Sequence, residues 1–374
     1  MAKRTKTALV LAGGGIMGAA YEIGCLTALS RLFPRGFSPC RFDLYIGISA
    51  GSVIATLMAN RIEPEALFRA IANEESNVFN WRRRDIYRLE TRETLFAIGR
   101  VLRNFYRIYR YYRQNRWGFS PHDLIHIIQE QFPAGLFSLD PLQAYLCRSF
   151  RQEGIIDDFR LLKRELYIPA YDLDRGQRVV FGSEGYREAH ICQAITASCA
   201  IPYFFQPHKV GESFYVDGST GRVSHLDIAI ERGAKLIVVI NPRMPMDNDM
   251  EHTCLPSLSY GRCSSIAELG INYAWEQSRR IESREKLGLA LRYYQQNHPE
   301  VDILLMQPGP EESLLFFQSP MSNRARSMVM NYGYQLALSD LRTSYDRFHA
   351  AFARAGIVTS AAELSAPPPA EIII

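Results

Sequence analysis

No stretch of this 374-residue chain holds 18 or more consecutive apolar residues, so none is long enough to cross a bilayer as a helix. The start is equally short of a secretory signal. Basic residues lead into an apolar stretch of residues 8–12 that runs straight into Gly13, which reads as a first strand rather than an h-region. Cysteine is sparse, with seven scattered positions (25, 40, 147, 192, 199, 254 and 263) and no CxxC pair. That spacing argues against a disulfide framework or a thiolate zinc site, and for buried free thiols in a reducing compartment. Net charge is small, with 43 Lys+Arg against 39 Asp+Glu. What remains is a globular composition, 47% hydrophobic and 22% charged, of a length compatible with one to three domains. The expected location is cytoplasmic, at most peripheral on a membrane.

The near-neutral total hides an asymmetry. Residues 81–116 carry 11 Arg and three acids, a net of +8, which leaves the rest of the chain at −4. On a helical wheel Arg100, Arg103, Arg107 and Arg110 fall within about 80° of one another, opposite Val101, Leu102, Phe105, Ile108, Tyr109 and Tyr112. An Arg face opposite an aromatic-aliphatic face suits an interfacial helix on an anionic membrane surface, although an ordinary docked surface helix has the same pattern. Arg interleaved with Tyr also suits nucleic acid, but no nucleic-acid motif accompanies it, so no nucleic-acid partner is expected.

Apolar runs ended by glycine or turn residues mark strands at 7–12, 43–46, 213–216, 235–240 and 302–306, with a hairpin over 165–171 and 178–181. Helical spacing covers 18–31, 52–60, 264–296 and 323–355. Strands alternating with helices imply an α/β fold with a mostly parallel central sheet flanked by helices. The expected organisation is a catalytic domain over 1–60 and 161–310, interrupted by an Arg/aromatic helical insertion over 61–160. A C-terminal helical region spans 311–364, and 365–374 is a disordered tail.

Two glycine motifs sit at strand ends. Gly47-Ile48-Ser49-Ala50-Gly51 is a GxSxG between a strand and a helix, the setting in which a serine on a sharp turn is exposed as a nucleophile. Gly13-Gly14-Gly15-Ile16-Met17-Gly18 fits GxGxxG, a dinucleotide fingerprint. That reading wants an acid at the end of the next strand, where this chain has the GxSxG instead. The alternative is that Gly13, Gly14 and Gly15 present backbone N–H groups to an oxyanion beside Ser49. Asp217-Gly218, also at a strand end, offers a base. His225, eight residues later, could make a conventional triad, and His122 with His126 has the i, i+4 spacing of zinc ligands but no evident third ligand.

These blocks, with the stretch Ala194-Ile195-Thr196-Ala197-Ser198-Cys199-Ala200-Ile201-Pro202-Tyr203-Phe204-Phe205-Gln206-Pro207, resemble the patatin-like phospholipases. That family has a GGGxRG loop, a GxSxG elbow, an AxxASxAxPxxFxP stretch and a DGG or DGA aspartate. The resemblance covers about residues 7–241. It implies a Ser-Asp dyad with Ser49 as nucleophile, Asp217 as base, and the Gly13–Gly15 loop as oxyanion hole; Gly47, Ala50 and Gly51 form the elbow. It also implies an acyl hydrolase of membrane-lipid esters that needs neither metal nor organic cofactor. Two departures stand out. Met17 occupies the place of the family's Arg or Lys, so a cation is missing from the glycine loop, and Ser219 replaces Gly or Ala after Asp217-Gly218. The competing class is a lipid-binding or membrane-associated scaffold that keeps the fold with weak chemistry.

Overall fold

The structure, a computed structural model, describes residues 4–34, 36–73, 83–89, 133–249, 251–252, 261–310 and 323–365, with eight further positions between 99 and 114. The expected 366–374 part of the tail, Arg100, Arg103, His122 and His126 lie outside the described residues. The strands are β1 (Thr7–Leu11), β2 (Leu44–Gly47), β3 (Arg88–Leu89), β4 (Gly135–Ser138), β5 (Glu165–Asp172), β6 (Gln177–Phe181), β7 (Tyr203–Phe205), β8 (His208–Val210), β9 (Ser213–Val216), β10 (Leu236–Ile240) and β11 (Asp302–Met306). The helices that matter below are α1 (Gly15–Ser30), α2 (Ala50–Ala59), α3 (Pro64–Ala72), α4 (Arg83–Ile86), α5 (Asp140–Gln152), α6 (Ile191–Ser198), α7 (Leu226–Glu231), α8 (Ile271–Asn297), α9 (Asn323–Thr343) and α10 (Tyr345–Arg354).

The main sheet runs β11-β10-β1-β2-β5-β9-β8, with β6 also paired to β5. From β11 to β5 every pairing is parallel; β6, β9 and β8 join antiparallel. The mixed α/β class with a largely parallel sheet is therefore as the sequence implies. All residues of β1 (TALVL) and β10 (LIVVI) are buried. Such uninterrupted apolar strands form where helices cover both faces of a parallel sheet, and each enclosed Val, Leu or Ile contributes roughly 1.5–3 kcal/mol. α1 is buried around nearly its whole circumference and crosses α9 backbone to backbone. A Cβ on Gly24 would meet Met330 O at 2.1 Å, and one on Gly333 would meet Tyr21 O at 2.7 Å. That crossing fixes α1, and with it the glycine loop that opens α1.

The N-terminal edge of the sheet is laced with ion pairs. Asp43 takes Arg4 (3.1 Å) and Arg164 (3.0 Å), Lys6 pairs with Glu165, Lys235 with Glu300 (3.2 Å), and Arg354 with Asp302 (2.6 Å). Pairs this exposed add little stability.

Three expectations are corrected. The span 61–160 contributes strands as well as helices: β3 and β4 join β7 in a second, three-stranded sheet, while α3 and α5 send Leu67, Phe68, Leu146 and Phe150 into the main core. The pattern over 323–355 is two helices, α9 and α10, parted at Ser344. The cysteines are not all free. Cys147 on α5 and Cys192 on α6 form a disulfide, and Cys263 is also disulfide-bonded. Only Cys25, Cys40 and Cys199 are free thiols among the described residues. The inference of a reducing compartment from cysteine spacing loses its footing accordingly.

Candidate active site

β10, β1 and β2 are neighbouring parallel strands, so the turns after them share one edge of the sheet. They carry Asn241-Pro242-Arg243, the glycine loop and the GxSxG respectively. Gly13 has φ +74°, and a Cβ there would lie 2.2 Å from Ile48 O; glycine is required because the loop rests directly on the serine turn. Ser49 follows with φ 53° and ψ −133°, a strained conformation for a non-glycine residue. It is the kink that turns β2 into α2 and puts a helix N-terminus under the hydroxyl, as a nucleophile elbow does. Gly47, Ala50 and Gly51 build that elbow, and Ser49 is only 4% exposed.

Asp217 arrives from β9. In the ladders Ile46 is level with Tyr167 and Val216 with Tyr171. The Ser49 and Asp217 turns therefore follow strands that flank β5, β2 on one side and β9 on the other. The end of α6 ties them together. Ser198 Oγ accepts the Ser49 N–H (3.0 Å) and donates to Pro169 O (2.7 Å), while Ser198 O accepts from Gly218 N (3.3 Å) and Ala200 O from Asp217 N (2.9 Å). Next in line, the Cys199 thiol touches the Ser49 and Ser52 hydroxyls and feels the Asp217 charge; burial, foremost, pushes its pKa far up.

The carboxylate is held on one side only. Asp217 Oδ1 accepts the Ser219 N–H (2.8 Å) and hydroxyl (2.6 Å), whereas Oδ2 is buried with no donor. Ser49 Oγ therefore stops short of a hydrogen bond to Oδ2 here; such contacts often tighten only when substrate binds. Behind the pair, Arg243 is 8% exposed and its Nη1 donates to Ser219 Oγ (2.7 Å). Its side chain also backs the glycine loop, with Cγ 3.2 Å from where a Cβ on Gly14 (φ +114°) would sit.

The glycine loop also departs from expectation. The Gly13 N–H donates to Glu22 Oε1 (2.8 Å), which removes Gly13 from the free donors and leaves Gly14 and Gly15 at the start of α1, where N–H groups lack intrahelical acceptors. Burial pushes the Glu22 carboxyl well above its ordinary range, against the lowering effect of the Gly13 N–H. His225 makes no triad. Its Nε2 lies 2.9 Å from Gly218 O and its Nδ1 3.2 Å from Arg178 Nη1. Burial, foremost, with the Arg178 and Arg222 charges, pushes it down to about 4 despite the Gly218 carbonyl and Asp227. It is neutral and has no nitrogen free for the Ser49 proton. Among the described residues, Cys147, Asp157 and Cys192 bring ligand-type atoms within 4.8 Å of one another, but the two sulfurs are joined to each other. Of the Arg face, Arg107 and Arg110 are helical and exposed, as are Tyr106 and Tyr109. Tyr109 does not face a core.

Sequence reading missed Ser198, Glu22 and Arg243 as parts of the site. Ser198 stands in the AxxASxAxP stretch, whose serine was the available signal. Nothing around Arg243 marks it.

A mostly parallel α/β sheet sets a strained serine turn against a glycine loop and ties the Asp217 turn to it through the end of α6. Residues 9–230 match the patatin-like phospholipase family, and the chain belongs to that family. Among curated relatives, the uncharacterized protein YqhO of Bacillus subtilis (strain 168) is 25% identical over 223 residues, 56% of this chain and 62% of that one. The probable lipid hydrolase 463L of Invertebrate iridescent virus 6 is 22% identical over 229 residues, 60% of this chain and 63% of the relative. The chain thus spans a little over three fifths of each relative's length. Among solved structures, VipD from Legionella pneumophila aligns with 91% of this chain and 67% of its own, at 14% identity and a TM-score of 0.35.

Proposed function

We propose that the protein is a lipid acyl hydrolase, of phospholipase or lysophospholipase type, that cleaves carboxylic esters of membrane lipids. Asp217 Oδ2 takes the Ser49 proton as Ser49 Oγ attacks the ester carbonyl, and the N–H groups of Gly14 and Gly15 receive the developing oxyanion. Collapse of the tetrahedral intermediate expels the alcohol or lysolipid, with Asp217 returning the proton to it. Water, deprotonated by the same carboxylate, then releases the fatty acid. No metal or organic cofactor enters this sequence. The observation that carries the reading is the strained Ser49 elbow, tied through Ser198 to the turn that bears Asp217.

The exposed Arg107 and Arg110 support an anionic membrane surface as the place where substrate is met, and no described helix is long and apolar enough to cross a bilayer. The test is covalent. A fluorophosphonate should label the wild type at Ser49, with labelling lost in Ser49→Ala. Asp217→Asn should cut turnover of a short-chain nitrophenyl ester by at least ~10³-fold, since nucleophile and base act as a unit. His225→Gln should retain most turnover. A folded Ser49→Ala variant that still hydrolyses the ester sinks the assignment and leaves the lipid-binding scaffold as the reading.

A further inference from the structure

Ser219 and the glycine loop that leads into Met17, the places where this chain departs from its family's pattern, are far apart in sequence yet both lie against one side chain. Arg243 Nη1 donates to the Ser219 hydroxyl, and that hydroxyl donates to Asp217 Oδ1. The guanidinium stem lies against Gly14, in the loop where the family carries its own cation and this chain has the buried, apolar Met17. We propose that Arg243, acting through Ser219, is the positioning residue of the Ser49–Asp217 pair. It clamps Oδ1 through the Ser219 hydroxyl so that Oδ2 is left for the nucleophile, while its stem rests against the glycine loop. The inference rests on the acyl-transfer reading given above.

A purely structural role fits the surroundings poorly. Burying a guanidinium is costly unless it is paired and fully hydrogen-bonded. Arg243 forms no ion pair with a carboxylate among the described residues. Its Nε is buried without an acceptor, and a second buried guanidinium, Arg280, is near enough that the Arg243 charge helps, after burial, to push the Arg280 pKa down. An apolar side chain would fill the same space without those costs. Among the described residues, the carboxylate that Arg243 reaches, through a single hydroxyl, is Asp217. A serine at 219 is what makes that reach possible, because glycine or alanine has no hydroxyl to relay it. Ser219 spends its proton on Oδ1 and receives one from Arg243. Its direction is therefore fixed, and the carboxylate is oriented rather than merely neutralised.

The experiment compares Arg243→Met, Arg243→Lys, Ser219→Ala and the Arg243→Met/Ser219→Ala double variant in the full chain. The readouts are kcat and KM on a short-chain nitrophenyl ester, the rate of fluorophosphonate labelling at Ser49, and circular dichroism for folding. Arg243→Met should lower kcat and the labelling rate together by roughly 10²-fold, the scale of a misaligned catalytic group, with KM within about threefold. Arg243→Lys should recover about tenfold of that loss. Ser219→Ala, which keeps the arginine in place and guards against a misfolded Arg243→Met, should match the Arg243→Met loss. The double variant should be no worse than either single one, as for residues in one chain of contacts. Wild-type kcat in folded Arg243→Met, or losses that multiply in the double variant, overturns the proposal. If Ser49→Ala abolishes labelling while these variants label normally, the positioning role alone falls. A wild type that no fluorophosphonate labels overturns both readings.

Discussion

Glu22 carries its carboxyl into a site with 0% exposure, where its Oε1 holds the Gly13 N–H. Burial raises its pKa well above 4.5, so the neutral acid is the form the fold accepts. The sign follows by linkage: the stability it contributes is complete below the unfolded value near 4.5 and is lost as pH rises through the folded value. Glu22→Gln keeps an acceptor for Gly13 but cannot ionise. The thermal midpoint of the wild type should therefore fall relative to Glu22→Gln as pH is raised from 5 to 9 in a fluorimetric melt; parallel curves would mean that Glu22 stays outside the titration. His225 works the other way. With its pKa lowered to about 4, it contributes stability above its ordinary value near 6.5 that is lost as pH falls towards 4. Both residues brace loops of the candidate site, and neither was legible in that role. Glu22 sits in a helix whose apolar spacing gave no reason to look at one acid, and His225 looked like a catalytic candidate because sequence distance to Asp217 says nothing about which way a ring nitrogen points.

At the scale of elements, the short apolar strands were readable because β1, β2 and β9 run into glycine or Asp-Gly, and β10 and β11 into a polar residue followed by proline. The strands at 7–11, 44–47, 213–216, 236–240 and 302–306 lie within a residue or so of expectation. Short elements built from small or mixed residues were not readable. α6 (ICQAITAS) has no broad apolar stripe of its own, and β4 and β7 gain their pairing only from a distant segment. The disulfide was invisible for the same reason: Cys147 and Cys192 are 45 residues apart and meet only because α5 packs on α6. α6 is also braced from outside, since Asp157 Oδ1 accepts the Cys192 N–H (2.7 Å) in its first turn. Closing a loop of that length contributes about 2–4 kcal/mol in the chain-entropy view. The Cys147→Ser/Cys192→Ser variant should melt several degrees below the wild type, and dithiothreitol should lower the wild type towards the variant while leaving the variant where it is. An unshifted variant would show the bridge to be dispensable.

Across the whole molecule, a mildly acidic body carries one strongly basic segment. Arg107 and Arg110 project from it beside Tyr106 and Tyr109, which are 69% and 49% exposed. Each near-surface cation contributes on the order of 1 kcal/mol on an anionic membrane. Reversing Arg107 and Arg110 to Glu should then weaken binding to phosphatidylserine-containing vesicles by well over tenfold, and raised salt should mimic the change through screening over about 8–10 Å. Turnover of a soluble ester serves as the control: an equal loss there, or undiminished vesicle binding, marks the segment as part of the folded body. The sheet itself has two unlike rims. The turns that carry Arg243, the glycine loop and Ser49 follow the C-terminal ends of β10, β1 and β2, while the opposite rim bears, among the described residues, the ion pairs of Arg4, Lys6, Asp43, Lys235 and Arg354. That separation gives the molecule a handle. Coupled to a solid support through an amine on that rim, such as Lys235, it would stand with the Ser49 turn on the side away from the support.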